Sequence, residues 1–247
     1  MPDVDVTITA CKRPAVLRKT LESFFSKMWN SSDLNTDKFR AVINVDPVGE
    51  SGSAAETVDV CRDYFIHIIA RTPDRPSFPG AFIWCWSQVV APYVFHLEDD
   101  WELLLSVDFC AMKYVMEKDQ ELALLRLPYR KADSNNTKQW NVFYPWNGEY
   151  YECPREHVCG SGFAGHPSLI RSEFVKQALR YLNPGLNPEK QFHYSRVLRH
   201  LCLQWKFGVF SAPGWGPVIR DIGREWIAGT KWAKAGNRGF FTKWEER

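Results

Sequence analysis

Three adjacent carboxylates, Glu98-Asp99-Asp100, follow the apolar run Tyr93-Val-Phe-His-Leu97 and precede Trp101-Glu102-Leu103. Like charges this close repel one another unless a cation or hydrogen-bond donors sit among them. A hard divalent ion with oxygen ligands is the simple solution. Magnesium or manganese takes one or two carboxylates, keeps waters, and completes its shell with substrate phosphates. Asp46 stands where a second apolar run, Arg40-Ala-Val-Ile-Asn-Val45, ends, and Asp221 lies between Arg220 and Arg224. Those arginines could neutralise phosphate. The plain alternatives are a solvated acidic turn for the triplet and a surface salt-bridge cluster for residues 220–225. Gly160, Gly162 and Gly165 permit close backbone approach or positive φ, although an ordinary tight turn explains them nearly as well.

These groups need elements to hold them. Val4, Val6 and Ile8 alternate with Asp5, Thr7 and Thr9, the period of a strand. Pro14 suits the first turn of a helix, continued by Leu17, Leu21, Phe24, Phe25 and Met28. Further strands are expected at 40–45, 65–70, 93–97 and 122–127. Helices are expected at 80–91, 106–118, 171–182 and 188–204, and from the capping-box sequence Ser53-Ala-Ala-Glu56 to Tyr64. Residues 133–160 read as loops or short antiparallel strands, and little periodicity follows Phe210. Strand and helix alternate through the first half, which favours an α/β fold with a mostly parallel sheet. Ligands of such sheets bind beyond the carboxyl ends of the strands. Thr9, Asp46 and Glu98-Asp99-Asp100 all stand at those ends.

Composition sets the outer limits. An apolar fraction of 45% with 24% charged residues excludes wholesale disorder. The net charge of +2 argues against a wholly basic nucleic-acid coat protein but hides a split. Residues 1–170 carry 17 basic and 23 acidic side chains, net −6, and residues 171–247 carry 14 and 6, net +8. Seven cysteines without a CxxC pair point away from a disulfide framework or structural zinc. They point towards a reducing compartment, the cytoplasm (the host cytoplasm for a viral protein). The N-terminus has no signal-peptide pattern. The uncharged run Pro76 to Leu97 is interrupted by Pro79, Gly80, Gln88, Pro92 and His96, so no membrane span is expected. Nothing in the sequence calls for an obligate protein partner.

Val4-Asp-Val-Thr-Ile-Thr-Ala-Cys-Lys-Arg-Pro14 resembles the opening strand and turn of GT-A glycosyltransferases. Phe95-His-Leu-Glu-Asp-Asp-Trp-Glu-Leu103 is similar to their Asp-x-Asp region in a Glu-Asp-Asp form. Gly160-Ser-Gly-Phe-Ala-Gly-His-Pro-Ser-Leu-Ile-Arg171 is similar to their acceptor-side segment, and Val218-Ile-Arg-Asp-Ile-Gly223 to a C-terminal segment that often ends in His-x-Gly. The match spans about residues 4–225. The departures are Glu98 for the first Asp, Asn44-Val-Asp46 where many relatives have consecutive aspartates, and Asp221 where many have a metal-binding His.

The resemblance implies a single GT-A domain over 1–247. Residues 1–130 would be the nucleotide-sugar half, and 131–247 the acceptor-side half with a basic, Trp-rich end. It implies a metal-dependent, inverting hexosyl- or pentosyltransferase using a nucleotide-sugar, UDP-linked donors being favoured. Thr9, Arg13 and Asp46 would take base and ribose. Glu98 or Asp99 would hold ribose or a metal-bound water, and Asp100 and Asp221 would ligate Mn2+ or Mg2+, with Arg220 and Arg224 beside the diphosphate. Gly160, Ser161 and Gly162 would line the acceptor side. Glu189, in Asn187-Pro-Glu-Lys-Gln, is the best positional match for the base, with His193 one turn on to orient it and Asp133 a weaker candidate. A first-turn Glu favoured by the helix dipole is the alternative for Glu189.

The acceptor is open. Lys231, Lys234, Arg238 and Lys243 are interleaved with Trp232, Phe240, Phe241 and Trp244, a pattern that suits a phosphate backbone and stacked bases. A hydroxymethylated pyrimidine in DNA, as in phage-type DNA-modifying glycosyltransferases, is the acceptor this suggests. A basic tail docked on the acidic half is the alternative. Of the eleven tryptophans, one or two among Trp140, Trp146, Trp215, Trp226 and Trp232 would line a groove. Two other function classes compete: a nucleotidyltransferase, which would normally show a glycine-rich loop after its first strand, and a non-catalytic carbohydrate- or nucleic-acid-binding module.

Overall fold

The structure is a computed structural model that describes residues 1–29, 35–49, 52–129, 144–235 and 243–246. The strands are β1 (Val4–Cys11), β2 (Phe39–Asp46), β3 (His67–Arg71), β4 (Tyr93–Glu98), β5 (Trp101–Leu103), β6 (Leu122–Arg126), β7 (Tyr151–Glu152), β8 (Ser168–Arg171), β9 (Lys206–Val209), β10 (Ile219–Asp221), β11 (Trp232–Ala235) and β12 (Lys243–Glu246). The helices are α1 (Pro14–Phe24), α2 (Ala54–Arg62), α3 (Phe78–Ser87), α4 (Phe109–Lys118), α5 (Ser172–Leu179), α6 (Pro188–Tyr194), α7 (Arg196–Cys202) and α8 (Gly223–Ala228).

Eight strands form one sheet in the order β3-β2-β1-β4-β8-β6-β9-β7. β3, β2, β1 and β4 run parallel, as the alternation of strand and helix predicts. β8 is antiparallel to both β4 and β6, and β7 is antiparallel to β9, so the sheet is mixed. β5 and β10 form a separate antiparallel ribbon, as do β11 and β12.

The alternation in β1 serves two buried faces. Val4, Val6 and Ile8 join the aromatic cluster of Phe24, Trp29, Phe39, Phe95 and Phe109. Asp5 and Thr7 are also fully buried, and each has partners inside the protein. Asp5 pairs with Arg40 and accepts from the Val90 and Ala91 backbone N–H groups, and Thr7 Oγ1 lies 3.3 Å from His96 Nδ1. A second core on the α3 side gathers Phe82, Trp86, Phe163, Phe174, Phe192 and Phe207.

Several expected boundaries shift for local reasons. The first helix gives way at Phe25 to a π turn, Phe25–Trp29, which still buries Met28. The helix expected over 188–204 is two helices. Ser195 is extended (φ −70°, ψ 123°), and its side chain caps Leu198 N, restarting the helix as α7. The helix expected over 171–182 starts at Ser172, because Ser168–Arg171 is taken into the sheet as β8. The uncharged run from Pro76 becomes α3 and β4, and no helix among the described residues is long and apolar enough to cross a membrane. None of the seven cysteines forms a disulfide.

Candidate functional site

Register puts the strand-end residues side by side. Cys11 pairs with Asp46 across β1 and β2, and Thr9 pairs with Glu98 across β1 and β4. The parallel sheet therefore collects Thr9, Asp46, Glu98 and Asp99 at one carboxyl edge, where they line a small cavity with Arg13, Phe78 and Trp244. Asp46 accepts from Asn44 Nδ2 at 2.9 Å and from the Ser77 backbone N–H at 3.0 Å. Burial pushes its carboxyl up to about 6, against the hydrogen bonds from Asn44 and Ser77 and the charge of Arg71.

Arg13 answers the repulsion within the triplet. Its Nε donates to Asp99 Oδ2 at 2.8 Å, and its Nη2 reaches both Asp99 Oδ1 and Asp100 Oδ2, at 2.5 and 2.8 Å. Asp99 Oδ2 also accepts from the Cys11 N–H at 2.8 Å, and Thr20 Oγ1 donates to the Asp99 carbonyl. Burial works against the Arg13 charge, but Asp99 and Asp100 more than offset it and hold the guanidinium protonated. Trp226 stacks 4.8 Å from the guanidinium carbon. The remaining nitrogen, Nη1, is buried without a hydrogen-bond partner.

Asp99 is thus spent on Arg13 and the backbone and has no oxygen left for a metal. Asp100 differs, since no hydrogen bond among the described residues engages its Oδ1. An ion that takes one or two carboxylates and completes its shell with substrate phosphates fits Asp100. The described residues contain no cluster of three or more metal-ligating side chains. Asp221 is brought near by the β5–β10 ribbon, in which the Ile222 N–H donates to the Asp100 carbonyl at 2.8 Å. Its carboxylate is already engaged, with Oδ1 accepting from the Gly223 N–H and Oδ2 from Arg224 Nε. Arg220 pairs with Glu102 and, like Arg224, does not line the strand-end cavity.

A second cavity, of about 370 Å³, lies on the acceptor side. Glu189 lines it from the first turn of α6, where Pro188 and the Asn187 cap start the helix, together with Arg126, Gly160, Ser161, His193 and Tyr194. His193 Nε2 lies 3.0 Å from the Phe163 carbonyl. Ser161 is tied to Tyr144 and to the His157 carbonyl. None of the three glycines has positive φ. Gly162 faces the core, where a Cβ would stand 3.2 Å from Phe207, and it does not line the cavity. Glu98 connects the two cavities. It lines the first, and its Oε1 is 3.5 Å from the Cβ position of Gly165, whose neighbours Ala164 and His166 line the second.

The structure adds residues that the sequence did not single out. Ser77 fixes Asp46, Arg71 acts on it through charge, Arg126 and Tyr194 line the acceptor-side cavity, and Phe78 lines the strand-end cavity. Of these, only Arg71, at the end of β3, carried a readable signal, since it occupies a strand end like Asp46. Trp226, one of several candidate groove residues, instead covers Arg13. Asp133, Trp140, Arg238, Phe240 and Phe241 lie outside the described residues, as do the side chains of Lys234 and Lys243.

No protein-family profile matches the chain, and no curated protein matches it in sequence. Its fold is similar to that of S. aureus TarS, with TM-score 0.58 and 10% identity over 88% of this chain and 36% of that one. It is similar to S. aureus TarS 1–349 in complex with UDP-GlcNAc, with TM-score 0.57 and 10% identity over 88% and 57% of the two chains. A third likeness is to mannosyltransferase PcManGT from Pyrobaculum calidifontis in complex with GDP-Man and Mn2+, with TM-score 0.53 and 10% identity over 86% and 55%. The chain spans between about a third and three fifths of the length of these solved chains. At this identity the likeness is one of fold, and the chain has the GT-A type of α/β architecture expected from its sequence.

Proposed function

We propose that the chain is a nucleotide-sugar-dependent glycosyltransferase that passes a hexosyl or pentosyl group to a hydroxyl acceptor with inversion. The observation that carries this reading is the placement of Thr9, Arg13, Asp46, Glu98 and Asp100 at one strand edge beside a cavity holding Glu189 and His193. The fold adds support, because similar solved chains hold UDP-GlcNAc or GDP-Man with Mn2+.

In this reading Asp46 accepts a hydrogen bond from the base, and a UDP donor suits it because uracil offers an N–H. Thr9 and Glu98 take ribose or sugar hydroxyls, and Arg13 Nη1 donates to the diphosphate. Mn2+ or Mg2+, held by Asp100, would supply charge neutralisation at the leaving diphosphate. Asp221 becomes a second ligand only if it gives up Arg224. Glu189 removes the acceptor hydroxyl proton as that oxygen attacks the anomeric carbon. The bond from that carbon to the diphosphate breaks, its electron pair leaves with the diphosphate, and the proton stays on Glu189. Attack opposite the leaving group inverts the centre. His193 and Ser161 shape the acceptor side.

A hydroxymethylated pyrimidine in DNA stays among the acceptor classes on the strength of the +8 charge of residues 171–247. The described residues add little to it. Lys231 pairs with Glu246, Arg220 with Glu102 and Arg224 with Asp221, and Trp244 faces the strand-end cavity.

Incubation with UDP-sugars and manganese tests the reading through UDP release. Slow, enzyme-dependent release that Asp100→Asn removes is expected. No release from any nucleotide-sugar, together with no nucleotide binding, would overturn it.

A further inference from the structure

Trp244 belongs to the basic and aromatic C-terminal segment, yet the fold carries it away from any nucleic-acid face. It is half-buried and lines the strand-end cavity opposite Thr9, Asp46 and Asp99. We infer that Trp244 is the outer wall of the nucleoside subsite and stacks on the face of the donor base. This rests on the proposed nucleotide-sugar reading and adds to it the residue that reads the base's face, where Asp46 reads its edge.

Space and construction support the inference. The strand-end cavity holds about 30 Å³, whereas sites for small molecules occupy about 300 Å³ or more. A wall must therefore move to admit a nucleoside. Thr9 and Asp46 sit on central strands of the eight-stranded sheet, and Arg13 is tied to Asp99 and Asp100. Phe78 opens α3, whose Ser77 cap is itself bound to Asp46. Trp244 is carried differently. β12 pairs with β11 alone, with Lys234 opposite Trp244 and a Lys231–Glu246 ion pair of 3.3 Å, and this ribbon is hydrogen-bonded to no other strand among the described residues. A two-stranded ribbon is marginally stable by itself, so it is the wall that yields. Once displaced by an entering base, the indole meets a π face across the cavity from Asp46. Base–aromatic stacking is strong enough to hold the ribbon over the ligand.

The test is calorimetric titration of the full chain with UDP and with ribose 5-phosphate, for wild type, W244F and W244A, with thermal unfolding recorded in parallel. The wild type binds UDP. W244A weakens UDP at least tenfold, while W244F stays within about threefold because it keeps a stacking face. Ribose 5-phosphate, which has no base, binds the wild type and W244A alike. Quenching of tryptophan emission by UDP is smaller in W244F. Unchanged or tighter UDP binding by W244A overturns the inference, and tighter binding would mark Trp244 as an occupant of the subsite. Loss of both UDP and ribose 5-phosphate in W244A overturns it as well. A wild type that binds no nucleotide overturns the glycosyltransferase reading along with it.

Discussion

Arg13 and Asp99 form a two-pronged buried ion pair across 86 positions of sequence, with Nε 2.8 Å from Oδ2 and Nη2 2.5 Å from Oδ1. Removing one partner of such a pair strands a buried charge, at a cost of about 3–5 kcal/mol. Arg13→Met is expected to lower unfolding free energy by that order in urea denaturation. The double variant with Asp99→Asn should lose less than the sum of the two single losses. Arg13→Lys keeps the charge but not the fork, so it should recover only part of the loss.

Gly223 leaves room for the proposed metal ligand. A Cβ there would overlap Asp100 Oδ2 and approach its Cγ to 2.8 Å, and Arg13 restrains that carboxylate from the other side. Gly223→Ala is therefore expected to turn Asp100 aside, costing about 1–3 kcal/mol of stability. Manganese-dependent UDP affinity should fall at least tenfold while metal-free affinity changes little, as read by thermal shift with and without manganese.

Asp46 gives nucleotide binding a pH signature. Its folded pKa of about 6 means that it is largely protonated at pH 5 and ionised at pH 7. An ionised Asp46 is the better acceptor for a base N–H. UDP affinity should be level above pH 7 and fall towards tenfold per unit below pH 6, and Asp46→Asn should flatten that dependence. Calorimetric titration between pH 5 and 8 checks it.

His96 contributes an acid sensitivity of the opposite kind, in stability. Burial lowers its pKa from 6.5 to about 4, and the ring lies against Phe82 and Trp86. Between those values the unfolded chain binds the extra proton, so stability is full above pH 6.5 and is lost as pH falls towards 4. The shift corresponds to roughly 3 kcal/mol. His96→Phe should make unfolding free energy less steep between pH 7 and 4.5. An equal slope in wild type and variant would refute the assignment.

The donor side was legible because its signals are local. The alternation in β1 and the strand-end positions of Thr9, Asp46 and Glu98 can be read along the chain, and parallel pairing then brings them together. The acceptor side was legible only in outline. Glu189 and His193 do meet Gly160 and Ser161 in one cavity, but Gly162 turns to the core. β8 and β9 have four residues each, too few for a period to emerge, and Ser195 breaks α6 from α7 through a side-chain cap rather than a Gly or Pro. The partners of Arg13 and the cavity beneath Trp244 are long-range consequences of the fold. In one dimension Arg13 reads as a solvated helix start and Trp244 as part of a basic tail.

The most direct test is a calorimetric titration of UDP into the wild type and Asp46→Asn at pH 7.5 with manganese. Saturable binding by the wild type and affinity at least tenfold weaker in Asp46→Asn is the expected result, with both proteins equally folded by thermal unfolding. Equal affinities, or no binding by a folded wild type, would contradict the placement of a nucleotide-sugar at the strand edge.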